Sequence, residues 1–152
     1  MSKEKFNKII DFAIEREKDA VKFYNELQKD SSFAPNKEYY AKLETMEQGH
    51  VNALEEIKND LRQRENLLIP EVENLHISDY LVEPSSEGKL SYQDIILLAM
   101  KREEKAYDLY SKLAEESKDD HIKNLFLKLA GEEAKHKNHF EKIYDKEVLI
   151  EN

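Results

Sequence analysis

Two Glu-x-x-His pairs are the residues of this sequence best suited to bind a metal. They are Glu47 with His50 and Glu133 with His136. Residues three apart on a helix lie on one face, so each pair directs a carboxylate and an imidazole to one point. Oxygen and imidazole donors together suit iron, manganese and other divalent metals. The spacing therefore predicts two matching metal-binding motifs, provided that both segments are helical.

The two pairs belong to an internal repeat. At an offset of 86 positions, residues 13–57 align without a gap with residues 99–143, and 15 of the 45 aligned pairs are identical. Ordinary composition would give about three. Besides the two motifs, the identical positions include Glu17/Glu103, Tyr24/Tyr110 and Leu43/Leu129. We therefore interpret the chain as a duplicated two-helix unit.

The composition predicts an all-α protein of one domain. The 152 residues include only three Gly and three Pro, and 38% are charged. Such a chain has little material for the tight turns of a sheet and suits long helices around one core. The net charge of −9 argues against nucleic acid and anionic membranes as partners and favours the attraction of cations.

The sequence shows neither an apolar targeting segment nor any cysteine, and both features exclude classes of function. No apolar stretch follows the first residues, and the longest apolar run, Ile95–Met100, is too short to span a bilayer. We therefore expect a soluble, cytoplasmic protein without membrane contact. The sequence contains no Cys, which excludes disulfides, a thiol nucleophile and cysteine-ligated iron–sulfur or rubredoxin-type centres within it.

Apolar residues recur at the spacing of bundle helices. The pattern predicts four helices, with approximate bounds 3–30, 36–64, 91–117 and 119–146. A capping box, Ser91 with Asp94, marks the start of the third helix. Residues 65–90 have no sustained helical period, so we interpret them as a crossover connection along the bundle. The prediction is one four-helix-bundle domain over residues 1–152.

Polar residues interrupt the apolar stripe of each predicted helix at its middle. They are Glu17, Glu47 with His50, Glu103, and Glu133 with His136. In an antiparallel bundle these levels coincide, so four carboxylates and two imidazoles should converge in the core. Carboxylates cannot all stay ionised there without a cation. Two divalent ions would balance them, and the donor set suits iron or manganese better than structural zinc.

This arrangement resembles the site of rubrerythrin-type members of the ferritin-like superfamily. One Glu from each of two helices and Glu-x-x-His from each of the other two form a known pattern of di-iron carboxylate bundles. Residues 13–17 with 23–24, and 99–103 with 109–110, are phrases typical of the family. The resemblance implies a ferritin-like four-helix bundle with a long crossover. It also implies a centre of two iron ions, with manganese or zinc as substitutes.

The resemblance also assigns roles to single residues. It implies bridging of the metals by Glu47 and Glu133, terminal binding by Glu17 and Glu103, and capping of one metal each by His50 and His136. Tyr24 and Tyr110 follow the terminal glutamates by seven residues and would hydrogen-bond to ligating carboxylates. The alternative for both tyrosines is a packing role with a satisfied hydroxyl.

Two features differ from typical rubrerythrins. These carry a second Glu three residues after the third-helix ligand, where this sequence has Ala106, and a rubredoxin domain with cysteines, which this sequence lacks. The site therefore resembles the symmetric kind of bacterioferritin-like proteins. Electrons would have to come from an external donor protein.

The leading functional hypothesis is a di-iron oxidoreductase that reacts with hydrogen peroxide or dioxygen. Such a protein would be a rubrerythrin-like peroxide reductase or a ferroxidase-type enzyme acting in oxidative stress. The alternative is an iron-binding, sequestering protein in which oxidation serves storage, and a third hypothesis is a structural bundle stapled by metal. We also expect a homodimer, to which Val148–Ile150 could add a small apolar contact.

Several further residues fall outside the metal pattern. The acids next to it are predicted to lie on a solvated face, namely Glu15, Glu44, Glu104 and Glu132. The remaining histidines are predicted to lie at the surface or rim, namely His76 (in another Glu-x-x-His with Glu73), His121 and His139. Gly49 costs roughly 1 kcal/mol relative to Ala inside a helix, which suggests a close approach or a local distortion.

Overall fold

The protein has four long α-helices. The computed structural model describes residues 2–30, 35–64, 67–82 and 90–146. The helices are α1 (Ser2–Leu27), α2 (Lys37–Gln63), α3 (Tyr92–Glu116) and α4 (Asp120–Tyr144), with a short 3-10 helix at Ile77–Tyr80. No strand occurs in these described ranges. The predicted all-α class is confirmed, and each long helix begins and ends close to its predicted bounds.

The described residues form two compact units, each built on two helices. The first contains α1 and α2, and the second contains α3 and most of α4. These are the two halves of the sequence repeat. The single domain over residues 1–152 stays a prediction.

In the first unit, α1 and α2 run antiparallel. Lys58 near the end of α2 binds Asp11 early in α1, with Nζ 2.6 Å from Oδ1, whereas Glu44 early in α2 contacts Gln28 just after α1. The apolar residues of the predicted stripes are buried, among them Phe6, Ile10, Leu43 and Leu54. Burying such a side chain contributes about 1.5–3 kcal/mol, so the stripes hold the pair together.

Side-chain caps fix the starts of α3 and α4. The N–H of Asp94 donates to Ser91 Oγ (3.1 Å), and the N–H of Ser91 donates to Asp94 Oδ2 (3.2 Å). The predicted capping box is thus confirmed. At α4, the N–H of Ile122 donates to Asp119 Oδ1 (3.0 Å). Each bond satisfies a backbone group that the first helical turn leaves without a partner.

The connection between α2 and α3 is partly packed against the helices. Val72 and Leu75 are buried, and Lys5 Nζ donates to the carbonyl of Glu73 (2.7 Å). The 3-10 helix then contacts α3. These contacts explain how a connection with little helix of its own holds a defined path over residues 67–82.

Gly49 does not mark a close approach. It is exposed, and a Cβ added there would meet no atom within 4 Å. Of the two alternatives, the close approach is therefore wrong, because Gly49 lies on an exposed face of α2, and the local distortion stays a prediction. Gly131 of α4 is equally open.

Candidate metal centre

Three residues of the first unit form a buried group, which we call the first triad. Glu17 comes from the middle of α1, and Glu47 and His50 come from adjacent turns of α2. Their exposed fractions are 2%, 1% and 3%. The Nδ1 atom of His50 lies 3.2 Å from Glu17 Oε2 and 3.3 Å from Glu47 Oε1. The group therefore brings two carboxylates and one imidazole to one point, as the spacing predicted.

The second unit repeats this group with Glu103, Glu133 and His136, the second triad. Glu103 comes from α3, and the Glu-x-x-His pair comes from α4. All three side chains are buried, and His136 Nδ1 lies 3.4 Å from Glu103 Oε2. The two triads thus have the same composition and the same placement at mid-helix.

Each triad satisfies the distance requirement of a metal site. Within each group, one ligand atom from every residue lies within 4.8 Å of one from every other. Such spacing allows a single ion to contact all three. In both triads Nδ1 is the imidazole atom that faces a carboxylate, so Nδ1 is the atom offered to a metal. Carboxylate oxygen with imidazole nitrogen fits iron or manganese.

Burial makes these residues unusual in the molecule. Among the described residues, the buried acidic and histidine side chains are the six members of the two triads. Two carboxylates held this close in a water-excluded interior repel each other and lose hydration, which is costly without a compensating cation. One divalent ion per triad would offset the two negative charges. The donor set therefore fits a metal site, and the ligand roles of single residues stay predictions.

The predicted tyrosines are buried next to an aromatic partner in each unit. Tyr24 stacks on Tyr40 with ring centroids 6.4 Å apart, and Tyr110 stacks on Phe126 at 6.2 Å. Tyr24 and Tyr110 are each 1% exposed. Hydrogen bonding of these two tyrosines to ligating carboxylates stays a prediction. The stacks show that both rings pack in the interior, which is compatible with either role.

Of the acids placed on the solvated face, Glu15 and Glu104 are exposed as predicted. Glu44 is different, because it is half-buried and accepts hydrogen bonds from Gln28 Nε2 (2.7 Å) and Asn25 Nδ2 (3.3 Å). The solvated-face prediction is wrong there. Glu132 is also half-buried. The polar side chains of Asn25 and Gln28 were the signal in the sequence that a polar partner is needed there. Only the pairing of α1 with α2 shows that this partner is Glu44.

The remaining histidines lie outside the triads. His76 and His121 are exposed, as is Glu73, which agrees with their predicted surface positions. His139 is half-buried, so its rim position is also confirmed. Burial, and then the nearby Lys142 and His136, lower the pKa of His139 from its ordinary value. This imidazole is therefore held in its neutral form over a wider pH range than an exposed one.

No helix in the described part of the chain has the length and apolar character needed to cross a lipid bilayer.

Comparison with known proteins identifies the family. The rubrerythrin family model matches residues 8–144. A solved structure of a hypothetical protein from Pyrococcus furiosus is similar, with a TM-score of 0.69 and 26% sequence identity, over 92% of this chain and 88% of that one. No curated protein matches. Since the family match spans most of the sequence, the chain belongs to the rubrerythrin family and has its ferritin-like four-helix fold.

Proposed function

We propose that the protein is a di-iron carboxylate oxidoreductase that reduces hydrogen peroxide or dioxygen with electrons from an external donor protein. The observation that carries this proposal is the repeated buried triad of two glutamates and one histidine. The two triads offer four carboxylates and two imidazoles. The negative charges of the four carboxylates balance the positive charges of two divalent ions. Membership of the rubrerythrin family supports iron as the metal.

The residues would divide the work as follows. Glu17, Glu47 and His50 would hold one iron ion, and the second triad would hold the other. When bound, iron would supply the electrons needed to break the O–O bond. The carboxylates compensate the charge of the ions, and apolar neighbours such as Leu54 keep bulk water out. The bridging roles of Glu47 and Glu133 remain part of the proposal.

The test is rapid mixing of protein that holds two Fe(II) per chain with peroxide or oxygen. We expect fast iron oxidation, followed optically, and the faster oxidant identifies the preferred substrate. Glu103→Gln should slow this reaction strongly because it removes a ligand charge inside the second triad. Glu104→Gln is the matched control, since Glu104 is exposed and adjacent, and it should react like the unchanged protein. Absence of fast oxidation by either oxidant would overturn the proposal.

A second function is an iron-sequestering protein with ferroxidase-like oxidation. The equal composition of the two triads favours it, because typical rubrerythrins have an additional Glu where this chain has Ala106. Repeated additions of Fe(II) in air separate the two functions. An iron content that saturates at two per chain supports the oxidoreductase, whereas a much larger content supports storage.

The assembly of the protein is a separate proposal. We propose a homodimer, since related bundles pair along helix faces. The contact suggested for Val148–Ile150 lies outside the described residues. Light scattering of the purified protein decides the matter, and a mass of one chain at working concentration would contradict the dimer.

A further inference from the structure

Three tyrosines of the first unit form a continuous chain of aromatic rings. Tyr24 stacks on Tyr40 with 6.4 Å between ring centroids and 6° between ring planes. Tyr40 meets Tyr39 edge to face at 6.0 Å. Tyr24 and Tyr40 are buried, whereas Tyr39 is partly exposed. This tyrosine chain therefore leads from the interior of the unit to solvent through rings in contact.

The inner end of the tyrosine chain lies two helical turns from the first triad. Tyr24 follows Glu17 by seven residues on α1, and Tyr40 precedes Glu47 by seven residues on α2. Seven residues are two helical turns, a rise of about 10 Å, and return to the same face. Because α1 and α2 are antiparallel, both tyrosines lie on the same side of the triad. The stacked pair is thus an aromatic layer two helical turns from the metal-binding residues on that side.

The second unit keeps the packing of this layer but not its chemistry. The residues equivalent to Tyr24, Tyr40 and Tyr39 at the offset of 86 are Tyr110, Phe126 and Leu125. Tyr110 and Phe126 stack at 6.2 Å with 16° between planes. A phenyl ring therefore packs as well as a phenol there, and packing alone does not call for hydroxyls at 39 and 40. Phenylalanine and leucine cannot give up an electron and a proton as tyrosine can.

We propose that the tyrosine chain supplies an electron for peroxide reduction when the metal site can give only one, and that the resulting radical comes to rest on Tyr39. This inference rests on the proposed function. Reduction of one hydrogen peroxide to two waters requires two electrons and two protons. A single Fe(II) held by the first triad would supply one of these electrons and would end as Fe(III). Tyr39 gives the other electron and its phenolic proton, and solvent gives the second proton.

Tyr24 and Tyr40 act only as relays in this scheme. Each loses an electron and regains one from its neighbour, so neither changes in the net reaction. Tyr39 loses its proton at the surface, where water accepts it. A small one-electron reductant, such as ascorbate, then returns an electron to the Tyr39 radical and a proton comes from solvent. The relay thereby diverts a strong oxidant from the buried glutamates and histidines of the triad.

The experiment uses protein loaded without oxygen with one Fe(II) per chain and mixed with one equivalent of hydrogen peroxide. Rapid freezing and electron paramagnetic resonance detect an organic radical, while iron oxidation is followed optically in parallel. The unchanged protein should form a tyrosyl radical that ascorbate quenches quickly. Protein with two Fe(II) per chain should oxidise its iron with little radical, because the metals then give both electrons.

Three single variants locate the radical. Tyr40→Phe copies the residue of the second unit, so it keeps the ring but breaks the chain, and the radical should stay on the buried Tyr24, where ascorbate quenches it far more slowly. Tyr39→Phe should leave a radical on the buried pair, which ascorbate quenches far more slowly. Tyr107→Phe is the control, since Tyr107 is an exposed tyrosine of the second unit, and it should change neither yield nor decay.

Each contrary result has a distinct meaning. Iron oxidation without any radical in the unchanged protein overturns the relay but leaves the proposed function standing. Quenching by ascorbate as fast as in the unchanged protein, in either Tyr40→Phe or Tyr39→Phe, also overturns the relay. If peroxide oxidises no iron at either loading, the proposed function and the relay both fall.

Discussion

The two units share their metal-binding triads and differ in what surrounds them. Beyond the first triad lie a stacked tyrosine pair and a polar cluster of Glu44 with Asn25 and Gln28. The positions equivalent to Gln28 and Glu44 in the second unit are Ala114 and Ala130, both buried. Both units have therefore kept the acidic and histidine side chains that a metal would need. The positions of Gln28 and Glu44, in contrast, are polar in the first unit and alanine in the second.

This contrast separates two kinds of constraint. A triad can bind a metal only if its two glutamates and one histidine keep their identity and spacing. Neither unit can therefore substitute these residues without losing the site. The residues around a triad must only fill space and satisfy their polar groups. Ala114 with Ala130 does so in the second unit, and the hydrogen-bonded Gln28 with Glu44 does so in the first. Differences between the units are therefore the places to look for functions that belong to one unit alone, such as the tyrosine chain.

The largest effect is expected from removing one glutamate of each Glu-x-x-His pair. Glu47→Ala and Glu133→Ala should each weaken metal binding by more than about 100-fold, because even partners of metal ligands contribute 10–100-fold. Without metal, the same changes should leave stability equal or higher, since each removes a crowded buried carboxylate. Metal titration and thermal unfolding with and without metal check both parts. Effects of very different size for the two variants would show that the triads are not equivalent.

A smaller effect should come from making the first unit like the second at the polar cluster. Glu44→Ala alone should destabilise by about 1 kcal/mol, because Gln28 loses a half-buried hydrogen-bond acceptor. The double change Gln28→Ala with Glu44→Ala should recover part of this loss. Denaturant unfolding of both single variants and the double variant measures the coupling. Strictly additive effects would contradict a direct contribution of this hydrogen bond.

The smallest effect is expected at the two exposed helical glycines. Gly49→Ala and Gly131→Ala should each stabilise the protein by roughly 0.5–1 kcal/mol, because alanine favours the helix and its Cβ meets no neighbour. Thermal unfolding of each variant measures the gain. Destabilisation in only one unit would reveal a close approach at that glycine.

The sequence alone determined the helices, the repeat and the members of both triads. Helical periodicity assigns a residue to the inner or outer face of its own helix, and Glu17, Glu47 and Glu103 interrupt inner faces that are otherwise apolar. The repeat then distinguished these acids from neighbours such as Glu104. Their burial follows from local geometry, so it required no knowledge of how the helices pair.

Only the tertiary structure decided the contacts between helices. Glu44 is half-buried because residues at the end of α1 lie opposite it, and the stacking of Tyr24 on Tyr40 depends on the same antiparallel pairing. Likewise, the open space around Gly49 depends on which surface of α2 remains uncovered. A repeating pattern fixes a face but not the partner it meets, since small rotations and shifts of two packed helices change which side chains touch.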